Sequence, residues 1–98
     1  MVTAIVLITC GVAEIPETAQ ALADLEGISE VYSVSGEWDL IAIVRVGNHD
    51  DLALIVTEHL RKVPGVKSTE TLIAWRAYSR HDLDRLFSVG FEASGDPD

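Results

Sequence analysis

The chain has 98 residues, 48% hydrophobic and 23% charged, and its 16 acidic against 7 basic side chains give a formal net charge of −9. That is one domain's worth of sequence, able to bury roughly 60–65% of the surface its unfolded form exposes, so a lone copy is marginally stable. The acidic field repels phosphate backbones and argues against direct nucleic-acid binding, and no apolar run approaches the roughly 20 residues of a membrane span.

Val2 to Cys10 is a nearly continuous apolar, β-branched run and reads as a buried strand. Leu7-Ile8-Thr9-Cys10 faintly suggests a lipoprotein cleavage site, but no basic residue precedes it, so no secretory leader is read and a cytoplasmic location is expected. Cys10 is the single cysteine; it cannot form an intrachain disulfide and is expected to be a buried structural thiol. Glu14, Pro16 and Glu17 mark the start of a first helix, whose Ile15, Ala19, Leu22, Ala23 and Leu25 recur at helical spacing before Gly27 closes it. Ile28 to Ser35 and Trp38 to Val46 are the second and third strands, joined at Ser35-Gly36-Glu37-Trp38-Asp39, where Gly36 enters φ > 0 without steric cost. Asn48 with Asp51 forms an approximate capping box for a second helix. Leu52, Ile55, Val56, His59, Leu60 and Val63 trace its inward stripe before Pro64-Gly65 stops it. Val66 to Tyr78 is the fourth strand.

This β-α-β-β-α-β order divides the chain into similar halves, with the helix-to-strand corners Leu25-Glu26-Gly27-Ile28 and Val63-Pro64-Gly65-Val66 lying 38 positions apart. The pattern predicts an α+β, ferredoxin-like split β-α-β fold: a four-stranded antiparallel sheet with both helices on one face. Residues 1–78 form this domain. Residues 79–98 form a tail in which Leu83, Leu86 and Phe87 suggest a short amphipathic helix and the end has the composition of disorder. The strands do not alternate cleanly: Val2, Ala4, Val6 and Ile8 point one way while Ile5 and Leu7 point the other, and Leu40, Ala42, Val44 and Val46 oppose Ile41 and Ile43. Two apolar sheet faces predict that two chains stack sheet against sheet, as a dimeric α/β sandwich or barrel.

No phosphate-cradling glycine loop, paired-cysteine metal site or nucleophile elbow is present, and neither a cofactor nor a catalytic residue is expected. His49, His59 and His81 are scattered, and His59, on or beside the apolar stripe, reads as a packed or interfacial residue rather than a base. The candidate binding constellation is Gly36, Trp38 and Asp39 from the hairpin with Thr69 and Thr71 from the fourth strand, whose spacing of two puts both hydroxyls on one side of the sheet. A carboxylate holds an ammonium group, backbone N–H groups at a glycine turn hold a carboxylate, and threonine hydroxyls serve either, which suits a free amino acid. The same residues also admit a plainer reading. Asp39 then caps the turn, Trp38 packs in a subunit contact, and the threonines are ordinary strand residues.

The run Ser35-Gly36-Glu37-Trp38-Asp39-Leu40, the acidic helix start after Gly47-Asn48, and Val63-Pro64-Gly65-Val66-Lys67-Ser68-Thr69-Glu70-Thr71 resemble the effector-binding domain of the Lrp/AsnC transcription regulators, also called the regulation of amino acid metabolism domain, over about residues 2 to 77. The resemblance implies a homodimer assembling into a ring of dimers, an octamer or decamer, with an amino-acid effector held between neighbouring dimers near Gly36, Trp38, Asp39, Thr69 and Thr71. Regulators of this kind begin with a helix-turn-helix domain, whereas this chain starts at the first strand, so a stand-alone, non-catalytic effector domain is expected. Full-length relatives are its candidate exchange partners. The alternatives are a small dimeric α/β-barrel enzyme, monooxygenase- or isomerase-like, drawing on Trp38, Trp75, Tyr32, Tyr78 or His59, and a purely structural assembly module.

Overall fold

In the computed structural model, which describes residues 1–80, four strands form one antiparallel sheet in the order β2-β3-β1-β4. They are β1 (Val2–Cys10), β2 (Ile28–Ser33), β3 (Leu40–Val46) and β4 (Val66–Ala74). Helix α1 (Ile15–Ala23) follows a 3-10 turn at Val12–Glu14 and carries Pro16 in its first turn, where a missing N–H costs nothing. Helix α2 opens at His49–Leu54, widens to a π-helix at Ile55–His59 and closes in a 3-10 turn at Leu60–Lys62. The expected ferredoxin-like topology is present.

The alternation inferred for the strands sorts the sheet into two faces. Ala4, Val6 and Ile8 of β1 and Leu40, Ala42 and Val44 of β3 are fully buried beneath Leu22 of α1 and Leu52, Ile55 and Leu60 of α2. Residues paired across an antiparallel ladder share a face. The other face therefore carries Ile5 and Leu7, Ile41 and Ile43, Tyr32 opposite Ile41, and Leu72 opposite Ile5. Along its β2 margin Arg45 reaches Glu30 at 3.3 Å, and Glu30 also accepts the Tyr32 hydroxyl. These bonds hold the Glu30 carboxyl below its ordinary range, the tyrosine bond first, and push the Tyr32 phenol up.

The two halves repeat in detail. Ile28 N–H donates to Leu25 O and Val66 N–H to Val63 O, both at 3.2 Å, closing matching turns in which Gly27 (φ 96°) and Gly65 (φ 98°) take the left-handed position. Each glycine carbonyl then extends a ladder: Gly27 O accepts from Arg45 N, and Gly65 O from Gly11 N. Each half also has an irregularity just past its turn, with Ser29 unpaired in β2 and Lys67 unpaired in β4.

Several boundaries differ from the sequence reading. β2 ends at Ser33 rather than Ser35 and β3 begins at Leu40 rather than Trp38, because Val34 N–H to Asp39 O (3.0 Å) is the last bond of the hairpin and Ser35 to Trp38 form its loop. β4 stops at Ala74, where its ladder with β1 ends at the pair Thr3–Ala74, rather than at Tyr78. His59 is exposed. The π segment places about five residues rather than four between successive core positions, so Leu60, not His59, falls beneath Ile55. In α1 Ala23 is exposed, and Thr18 is buried instead, donating its hydroxyl to Pro64 O at 3.2 Å. His81 and the tail helix expected at Leu83, Leu86 and Phe87 lie outside the described residues.

Candidate functional site

The hairpin loop is pinned to the end of β1 by Asp39. Its backbone N–H donates to Ile8 O at 2.9 Å, and its carboxylate Oδ2 accepts the Cys10 N–H, also at 2.9 Å. The side chain thus takes the place of a backbone carbonyl and satisfies the last donor of β1. One carboxylate oxygen is consumed in this way, on the end of β1 rather than within the hairpin turn. The other has no hydrogen-bond partner among the described residues. Gly36 sits at φ 110°, with open space where a Cβ would stand, and Trp38 beside it is half-buried.

Thr69 and Thr71 do share a face, since they pair with Ile8 and Val6 on the helix-covered side of the sheet, and both are half-buried. They lie on edge strand β4, separated from the hairpin by β1, which is about 10 Å across two strand spacings. Asp39 and Thr69 belong to the same end of the sheet, but no hydrogen bond joins the hairpin group to the threonine group among the described residues. Within one chain the five residues form two separate groups.

Three neighbours complete this end of the sheet without having been singled out in the sequence. Arg61, Lys67 and Ser68 line a cleft of ≈ 420 Å³ together with Val66 and Thr69. Ser68 Oγ also shares a 2.5 Å hydrogen bond with Thr9 Oγ1 across the ladder. Their signal in sequence is the basic end of the second helix, which reads there only as a helix stop, and the strand start that follows it, which reads as part of the run that carries the family resemblance. Cys10 is buried as expected, at 4% exposure. Burial first, then the Asp39 and Glu14 charges, push its thiol above the ordinary value of 9.0, with Lys67 opposing.

Of the residues an enzyme would draw on, Tyr32, Trp75 and Tyr78 are more than half exposed, and His59 is exposed at a cleft that Gly27, Val46 and Ile55 also line. No group of His, Cys, Asp and Glu among the described residues is placed to hold a metal.

A family model described as the Lrp/AsnC ligand binding domain matches residues 3–83. An uncharacterized HTH-type transcriptional regulator of Pyrococcus furiosus is 39% identical over 59 residues, which is 60% of this chain but only 39% of that regulator. The crystal structure of the protein TTHA0845 from Thermus thermophilus superposes with a TM-score of 0.76 at 42% identity, covering 82% of this chain and 100% of that one. A feast or famine regulatory protein from M. tuberculosis, complexed with L-methionine, gives a TM-score of 0.66 at 28% identity, covering 82% of this chain and 54% of that one. The βαββαβ sheet, the glycine-aromatic-aspartate hairpin and the match over residues 3–83 agree, and the chain belongs to the Lrp/AsnC ligand-binding domain family.

Proposed function

We propose that the protein is a non-catalytic effector module that binds a free amino acid and, through its assembly, carries that signal to transcription regulation. The observation that carries this reading is the Asp39 carboxylate, held in place by Cys10 N–H with one oxygen left for an ammonium group, beside the left-handed loop at Gly36. The methionine bound to the M. tuberculosis relative supports an amino acid as the class of ligand. Residues 1–78 are the binding domain in this reading, with the remainder as an accessory tail.

Because the hairpin and Thr69–Thr71 are two separate groups in one chain, the effector sits where copies meet, Gly36, Trp38 and Asp39 from one facing Thr69 and Thr71 from another. The uncovered apolar face of the sheet supplies the first contact: two copies stack there as a dimer, and dimers then assemble into a ring. Helix-turn-helix relatives with the same domain are candidates to join such a ring.

Calorimetry of the chain against the twenty amino acids tests the reading. At least one is expected to bind below millimolar concentration, and Asp39→Asn should weaken it by about tenfold or more. Asparagine keeps a carbonyl acceptor for Cys10 N–H, so the loop stays anchored while the charge is lost. Absence of any such binding in the native chain rejects the proposal.

A further inference from the structure

We propose that the cleft between the end of α2 and the start of β4 is an anion site that takes the carboxylate or phosphate group of a small metabolite, with Arg61 and Lys67 as its charges and Thr69 as its hydroxyl donor. The cleft is lined by Arg61, Val66, Lys67, Ser68 and Thr69, and no carboxylate contributes to it. This is unexpected in a chain with a net charge of −9. Two other cations find acids: Arg45 pairs with Glu30 at 3.3 Å and Lys62 with Glu58 at 3.1 Å. Arg61 and Lys67 have no ion pair among the described residues, and both open on the same cleft.

The internal repeat supplies a control. Lys67 is the residue left out of the β1–β4 ladder where Thr9 pairs with Ser68 and Cys10 with Val66, and such irregularities aim a side chain away from the ladder. The first half has the same irregularity at Ser29. Counting 38 positions back, Arg61, Lys67, Ser68 and Thr69 correspond to Ala23, Ser29, Glu30 and Val31. The architecture therefore tolerates neutral or acidic residues at all four places. The cations are a property of this one corner.

The chemistry fits an oxyanion. A guanidinium presents a planar donor fork, an ammonium a compact charge, and a hydroxyl adds a donor, a set that matches carboxylate or phosphate oxygens. The volume, ≈ 420 Å³, suits a small metabolite. A nucleic acid would need many more phosphate contacts than two cations supply against so acidic a surface.

The test titrates the full chain at low ionic strength with succinate and, separately, with inorganic phosphate, following backbone amide resonances and heat. Either probe should shift the amides of Lys67 to Thr69, and Arg61→Gln and Lys67→Gln should each weaken binding about tenfold, as expected for a lost charge-assisted hydrogen bond. Lys62→Gln should leave it unchanged. Response to succinate alone assigns a carboxylate ligand, to phosphate alone a phosphorylated one, and to both a general oxyanion site. No binding of either probe, or equal loss in Lys62→Gln, overturns the proposal. An amino acid that binds and is lost in Asp39→Asn while both probes stay silent keeps the hairpin reading and rejects this one.

Discussion

At Gly65 two constraints meet: the backbone is left-handed at φ 98°, and a Cβ there would run into Thr18 Oγ1, the hydroxyl that bonds Pro64 O. Gly65→Ala is expected to destabilise the fold by about 3 kcal/mol, combining backbone strain with loss of the Thr18 bond. At Gly36 only the first constraint applies, since nothing lies near the site of a Cβ, and alanine there should cost about 1 kcal/mol. Urea midpoints for the two variants at unchanged slope check the ordering. Gly36's positive φ was legible from the turn residues around it. The burial of Thr18 was not, because a threonine in a helix carries no signal that a glycine from the other half of the chain will leave room above it.

Among the elements, α2 shows most clearly where local rules hold and where they stop. Its start was readable because the Asn48 side chain accepts from Asp51 N–H at 2.8 Å, an interaction confined to neighbouring residues. Asn48→Ala should cost about 1 kcal/mol and speed amide exchange in the first turn, measured by thermal unfolding and hydrogen exchange. The π segment at Ile55–His59 was not readable, since the apolar stripe alone cannot distinguish four residues from five between core positions. That single added step moves His59 from the stripe to solvent. Strand ends escape the sequence for a related reason: β-branched residues favour extended chain, but where pairing stops depends on the partner strand, as at Thr3–Ala74. For the candidate site, the hairpin aspartate and the shared face of Thr69 and Thr71 were legible, whereas Arg61 and Lys67 were not, because their meeting depends on how helix and strand are juxtaposed.

For the whole molecule, the double-sided apolar pattern of β1 and β3 translated directly into a covered face and a bare one. Ile5, Leu7, Ile41 and Ile43 occupy the centre of the bare face, with Leu72 and Tyr32 to either side. If this face is the dimer contact, Ile43→Lys should give monomers by light scattering after gel filtration. Leu54→Lys, on the exposed side of α2, should leave the native assembly intact. A native chain that is already monomeric would reject the stacked arrangement. The topology was readable at this scale because the repeat spacing and the two corner glycines report on both halves at once.

The strand order has one more consequence. Every ladder in the sheet, β2 with β3, β3 with β1 and β1 with β4, joins a strand from the first half to one from the second. Neither β-α-β unit contains a single strand pair of its own. A fragment ending inside the hairpin loop would have no ladder to form, and the complementary fragment would be equally stranded, so ordering must be collective and dominated by contacts distant in sequence. Each half is thus a motif whose strands find partners only by clasping the other.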